Sequence, residues 1–242
     1  MNEREKILTR IREALKVPAP SPGTHAPASH LPVPGVPGLP SLRVPAPTTA
    51  APVEARRWLP KVGPGFPEQL ALFAQNAADL KATFQIFANW TELNAALVQL
   101  RDAENWQRVA SHQSELSSQA CAALQRPVCW TDKGYDVLAL ESCDVGVTEC
   151  DALIAQTGSV LVTSRSAGGR ALSVLPPHHV VIARREQLVA DLPAAFALLQ
   201  QKYAPEFPSM MGFITGPSRT GDIERILVLG AHGPKKLTIF CV

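Results

Sequence analysis

From residue 67 onward, helical stretches alternate with short apolar runs, and this alternation constrains the fold more than any other feature of the chain. Residues 67–82 repeat apolar positions at helical spacing, which predicts a helix with Leu70, Leu72, Phe73 and Ala77 facing inward. Thr83 to Ala88 reads as a short strand. Thr91 to Arg101 reads as a helix carrying Leu93, Ala96, Leu97 and Leu100, with Asn89 or Thr91 as its cap. A further helix is expected near Ser114 to Leu124. Gln107–Ala110, Val128–Trp130 and Val137–Leu140 are expected as strands. Helices interleaved with short buried strands point to an α/β layered sheet and against a helical bundle or a β-sandwich.

The second half extends the pattern. Cys143 to Thr148 is strand-like, and Leu153 to Val162 reads as two strands joined at Thr157-Gly158-Ser159, a hairpin. Arg170 to Leu175 is expected as a short helix closed by Pro176-Pro177, followed by a buried strand at Val180–Ala183. Asp191 starts a helix running to about Tyr203, with Pro193 in its first turn. Met211 to Ile214 reads as a buried strand, and Asp222-Ile223-Glu224 as the acidic first turn of a helix.

Ahead of this body, residues 1–16 hold an amphipathic helix candidate with Ile7, Leu8, Ile11 and Leu15 on one face. Residues 17–56 are dense in Pro, Ala, Ser and Gly, a composition of extended linker rather than packed element. The folded domain is therefore expected over residues 57–242.

Charge and cysteine usage narrow the function classes. A formal net charge of +2, with Lys and Arg scattered rather than striped, gives no footprint for nucleic acid. No apolar run approaches membrane-spanning length, and the charged start lacks a signal-peptide core, so a cytoplasmic protein is expected. The five cysteines, Cys121, Cys129, Cys143, Cys150 and Cys241, form no Cys-x-x-Cys pair. That argues against a disulfide framework and against an iron–sulfur cluster bound by this chain alone. Cys150 lies between Glu149 and Asp151, whose charge raises a thiol pKa and disfavours a nucleophile.

Four clusters carry candidate chemistry. Thr215-Gly216-Pro217-Ser218-Arg219-Thr220 lies between a strand end and a helix start, where backbone N–H groups can converge on an anion, or where hydroxyls merely cap a helix. Glu149 and Asp151 stand at a strand end, suited to acid/base work, to hydrogen-bonding a ligand, or to a solvated turn. Thr163 to Arg170 is a hydroxyl- and glycine-rich loop that fits no standard phosphate-loop pattern. His178 and His179, adjacent on a strand, would point to opposite faces and cannot bind one metal together. No metal-ligand spacing and no dinucleotide fingerprint occur.

Val145 to Ser159 resembles the signature of the LUD-domain family of lactate utilization proteins. Leu172 to His179, Ile214 to Glu224 and Leu227 to Pro234 resemble its later motifs, in the same order. The resemblance implies a fold similar to that of ribose-5-phosphate isomerase, glucosamine-6-phosphate deaminase and the CoA transferases. It also implies a role in oxidising L-lactate to pyruvate with two iron–sulfur partner proteins, which would house the clusters while this chain binds none. The linker at 17–56 and the cysteine at position 150 depart from the family pattern.

These readings combine into one expected pocket for a small anionic ligand. Glu149 and Asp151 are its candidate catalytic residues; Thr157, Gly158, Arg170, His179, Thr215, Gly216, Ser218, Arg219 and Thr220 are its candidate binding residues. Arg170 and Arg219 would grip a carboxylate or phosphate. Two other readings stay open: a stand-alone enzyme acting on a sugar phosphate or acyl-CoA-like compound, and a non-catalytic assembly subunit; a homo-oligomer is open under each.

Overall fold

The structure, a computed structural model, describes residues 59–220, 228–229 and 233–242. The expected N-terminal helix at 1–16, the linker at 17–56 and the helix start at Asp222 lie outside the described residues.

The elements run α1 (Phe66–Asp79), β1 (Thr83–Ile86), α2 (Trp90–Ala103), β2 (Val109–Ser111), α3 (Glu115–Leu124), β3 (Val128–Trp130), α4 (Val137–Glu141), β4 (Val145–Glu149), β5 (Ala152–Ile154) and β6 (Ser159–Thr163). They continue with β7 (His178–Ala183), β8 (Leu188–Val189), α5 (Leu192–Tyr203), β9 (Met211–Ile214), β10 (Arg219–Thr220), β11 (Val228–Leu229) and β12 (Lys236–Cys241). A six-stranded sheet in the order β1-β12-β7-β4-β2-β3 forms the centre, every neighbouring pair parallel. A second sheet, β8-β5-β6-β9, is mostly antiparallel, and β10 pairs with β11 as a separate ribbon.

β4 from Val145 to Thr148 and all of β7 are buried on both faces, so their apolar side chains serve two layers at once. On one face Val180 and Ile182 of β7 join Val145, Val147 and Phe240 beneath Leu93 and Leu97 of α2 and Leu116, Ala120 and Leu124 of α3. On the other face Val181 and Ala183 of the same strand meet Phe73 and Ala77 of α1 and Leu153, Val160 and Val162 of the second sheet. The second sheet turns its far side, Ala152, Ile154 and Leu161, to Ala195, Leu199 and Tyr203 of α5.

Local signals fix most element ends. Asn89 caps α2 by accepting the Glu92 N–H at 3.0 Å, and Asp191 caps α5 by accepting the Ala194 N–H at 2.9 Å. The expected hairpin is present as the antiparallel β5/β6 pair. Two expectations fail. Val137–Leu140 is helical rather than a strand, because Asp136 caps it by accepting the Ala139 N–H at 2.7 Å and a four-residue apolar run does not by itself specify strand. Arg170 to Leu175 forms successive turns rather than a helix, as the chain crosses the sheet to the start of β7.

Two glycines and one carboxylate lock the layers together. Gly158 (φ +63°) and Gly216 (φ +86°) adopt backbone conformations that L side chains rarely enter. Both also face the C-terminal end of α1: a Cβ at Gly158 would lie 2.7 Å from the Ala77 nitrogen, and one at Gly216 would lie 2.5 Å from the Leu80 oxygen. Asp151, buried directly after β4, accepts hydrogen bonds from Lys202 Nζ at 2.6 Å and Tyr203 Oη at 2.5 Å, tying the end of α5 to the core. Burial pushes the Asp151 carboxyl up, but the Lys202 and Tyr203 bonds outweigh it and hold the group below its ordinary 3.8.

Gly158→Ala is expected to lower stability by about 1–3 kcal/mol, from the strained φ together with the forced retreat of α1, read by chemical denaturation. Asp151 has a folded pKa depressed below the unfolded one, so its contribution is present above the unfolded pKa and disappears as pH falls through the folded value. Asp151→Asn should therefore destabilise at pH 7 by about 1–3 kcal/mol and flatten the acid limb of a urea-denaturation series from pH 7 to 3.

Candidate functional site

The C-terminal ends of the parallel strands, where α/β sheets place ligand crevices, carry an unusual concentration of polar groups. β2 ends at Ser111 and leads through His112, Gln113 and Ser114 into α3. Ser114 makes no side-chain capping bond. Glu149, at the end of β4, substitutes for it: its Oε1 accepts the Leu116 N–H at 2.7 Å and the Ser117 N–H at 3.4 Å. The carboxylate thus meets orphan amides and the positive end of the helix dipole. Asp132 accepts the Gln113 N–H at 2.8 and 3.0 Å, pinning the loop after β3 alongside.

His112 sits among these groups at 4% exposure, and neither of its ring nitrogens has a hydrogen-bond partner among the described residues. The hydroxyls of Ser114 and Ser117 are likewise buried and unpartnered. Burial lowers the His112 pKa, and the nearby charges of Glu149 and Asp132 oppose that shift without reversing it. The imidazole is neutral at physiological pH, with one N–H to donate and one lone pair to accept. Buried polar atoms are nearly always paired, so this set is a reserve of unspent hydrogen-bonding capacity.

The hydroxyl- and glycine-rich loop closes over this place. Gly168 packs so tightly on the His112 side chain that any Cβ would collide with it, and the Gly168 carbonyl accepts from Thr131 Oγ1 at 3.2 Å. Ser166 Oγ accepts the Thr163 N–H at 2.9 Å, so the hydroxyls hold the loop's own backbone. Arg170, exposed two residues beyond Gly168, uses one Nη to donate to the Ser209 carbonyl at 2.8 Å. Asp151 is nearby in sequence but committed to α5, although its Oδ2 is buried without a partner.

The remaining candidates gather elsewhere. Thr215 Oγ1 bonds Ser159 Oγ at 2.8 Å, next to the Thr157-Gly158 turn, where Thr157 Oγ1 is buried without a partner. His179, with Gly216 and Ser218, lines a cavity of about 20 Å³, room for one water and not for an organic anion. Its Nε2 meets Thr148 Oγ1 at 2.8 Å, and burial followed by the charge of His178 lowers its pKa to about 3. His178 points to the other face, as adjacent strand residues must. Arg219 is exposed, and its strand residue pairs with Leu229 while Thr220 pairs with Val228.

The single expected pocket is therefore two places. Asp151 shares Tyr203 Oη with Thr163 at one end of β6, whereas Thr215 bonds Ser159 at the other end. Four residues of strand separate those ends by roughly 13 Å. The cause is the antiparallel return of β9, which pairs Met211 with Thr163 and Ile214 with Val160 and so delivers Thr215 to the far end. Sequence reasoning missed His112. The signal was a polar residue directly after a buried strand, but the predicted strand stopped at Ala110 and left His112 in a linker.

Among the described residues, no three His, Cys, Asp or Glu side chains are grouped to hold a metal ion. Burial is the leading cause that pushes the thiols of Cys121, Cys143 and Cys241 up to about 11 and that of Cys150 well above its ordinary 9.0. Such thiols stay protonated and unreactive at neutral pH.

Residues 132–242 match the model of the LUD domain. Lactate utilization protein C of Shouchella clausii (strain KSM-K16) is 39% identical over 106 residues, covering 43% of this chain and 46% of that protein. Lactate utilization protein C of Bacillus subtilis (strain 168) is 34% identical over 114 residues, covering 46% of this chain and 48% of that protein. The match thus spans just under half the length of these curated relatives. Among solved structures, a DUF162 family protein from Deinococcus radiodurans superposes with a TM-score of 0.58 at 20% identity, covering 74% of this chain and 99% of that one. At that identity the likeness shows the fold alone. Glu149, Asp151, Gly158, His179 and Gly216 all fall inside the segment, residues 132–242, over which this chain is similar to the LUD domain.

Proposed function

We propose that this chain acts in lactate utilization as a subunit of an iron–sulfur-dependent complex that oxidises L-lactate to pyruvate. The observation that carries the reading is the 34–39% identity with proteins named lactate utilization protein C, beside the LUD-domain match over residues 132–242, which contains the β4 end and the 215–220 turn. The scattered cysteines of this chain, four of the five buried, do not fit a cluster, so the clusters are assigned to two partner proteins. The finer fold assignment, to the class of ribose-5-phosphate isomerase and the CoA transferases, belongs to the same proposal.

Lactate offers a carboxylate and a neighbouring hydroxyl. In this reading His112 takes the hydroxyl, its neutral imidazole accepting a hydrogen bond or a proton, while Glu149 stabilises the resulting positive charge. Arg170, on the loop that covers His112, is the carboxylate partner, its one bond among the described residues being to the Ser209 carbonyl. Arg219, exposed on β10 four residues beyond Thr215, would be a second anion contact only for a ligand at that end. A non-catalytic assembly role is the competing reading, and one observation favours it: Glu149 and Asp151 are both already engaged in holding helices.

The test is copurification from cells grown on L-lactate, with iron and sulfide analysis, followed by lactate-dependent electron transfer in the reconstituted complex. His112→Asn should leave assembly intact and lower turnover by about 10²–10⁴. Arg170→Ala should weaken lactate binding by about 1.5–3 kcal/mol, seen as a raised KM. Wild-type kinetics for both variants in an intact complex would reject the pocket and leave the assembly role.

A further inference from the structure

A second place on the molecule has the dimensions of a ligand site and lies outside everything described so far. A cleft of about 550 Å³ opens between α2 and the β1 edge of the parallel sheet. That volume is within the usual range for small-molecule sites. Its floor is one face of neighbouring strands in register: Thr83 opposite Thr238, Gln85 opposite Phe240, and Lys236 opposite His178. One side of α2, with Ala96, Gln99, Leu100 and Ala103 at helical spacing, makes the wall. The cleft exists because α2 and α3 cover the sheet centre on this face, whereas Thr83 and Gln85 of the edge strand stay exposed.

Its two ends differ in chemistry. At the strand N-termini, Lys81, Lys235 and Lys236 gather beside a single acid, Glu104, which Lys236 Nζ contacts through both carboxylate oxygens at 2.6 Å. Lys81 and Lys235 are exposed and have no ion-pair partner among the described residues. Towards the strand C-termini the lining becomes Ala96, Leu100 and Phe240, with the amides of Gln85 and Gln99 at its margin. Opposite Lys236 at the cationic end stands His178, 4% exposed, its Nε2 bonded to Thr238 Oγ1 at 2.9 Å and its Nδ1 buried without a partner among the described residues. Burial lowers its pKa to about 4, so the ring is neutral and presents hydrogen-bonding capacity rather than charge. From Lys236 to Phe240 the floor extends roughly 13 Å, the reach of a phosphate chain plus a ring system.

The geometry points to this cleft as a binding site for an organic phosphate of nucleoside diphosphate size, phosphates against Lys81 and Lys235 and the ring system along Ala96, Leu100 and Phe240. Two lysines, Lys81 and Lys235, without an ion-pair partner among the described residues favour the polyanion, while the apolar wall and glutamine amides make room for a planar, hydrogen-bonding group that an inorganic ion lacks. This site is separate from the one assigned to lactate, so either can fail alone.

Isothermal titration of the full chain at low salt, with ADP, inorganic pyrophosphate and adenosine as separate probes, tests the assignment. ADP is expected to bind one per chain, more tightly than pyrophosphate or adenosine. The Lys81→Ala/Lys235→Ala double variant, altered only at exposed side chains and checked by its melting temperature, should bind ADP at least tenfold more weakly. Absence of saturable ADP binding to the wild type, or unchanged affinity in the double variant, would overturn the site. Pyrophosphate binding as tightly as ADP would overturn its organic half.

Discussion

Burial of β4 and β7 on both faces is the constraint on which the rest of this structure depends. A parallel strand in the middle of a sheet cannot turn one side to water, so every residue of β7 from His178 to Ala183 is buried. The chain must then supply two covers. It meets the first with α2 and α3, and the second with α1 and a whole additional sheet. That second cover is what makes the molecule more than a simple layered sheet, since the added sheet needs α5 on its own far side.

Strict burial also decides which polar residues matter. Within β4 and β7 the polar side chains pair locally, Thr148 with His179 and His178 with Thr238. At the strand ends the accounting is incomplete. Glu149 and Asp151, two residues apart, point to different helices and hold them, one through amides at the start of α3 and the other through Lys202 and Tyr203 at the end of α5. His112 is left buried without partners beneath Gly168. Unsatisfied groups of this kind carry a free-energy penalty that a ligand or an ordered water removes. The functional reading therefore rests more naturally on His112 than on the carboxylates that first attract attention.

The family match has a structural counterpart. Its motif glycines Gly158 and Gly216 are required by backbone conformation and by the approach of α1, so the recurring Thr-Gly pattern is at least partly a packing signature. Gly146 belongs with them: a Cβ there would run into the Leu172 backbone, where the crossing segment passes over β4. A motif that identifies the family need not mark its chemistry.

The sequence by itself determined the α/β class, the positions of most helices and strands, the β5/β6 hairpin and the opposed faces of His178 and His179. These depend on periodicity, capping residues and turn residues, all encoded within a few positions of one another. A short apolar run such as Val137–Leu140 was ambiguous because four residues fit either period, and the Asp136 cap settled it. Only the tertiary structure decided that Asp151 serves Lys202 and Tyr203, that Glu149 caps a helix begun more than thirty positions earlier, and that Thr215 stands beside Ser159 rather than beside the carboxylates. Those pairings are fixed by strand order and by the antiparallel return of β9, and register between distant strands leaves no local trace in a single chain.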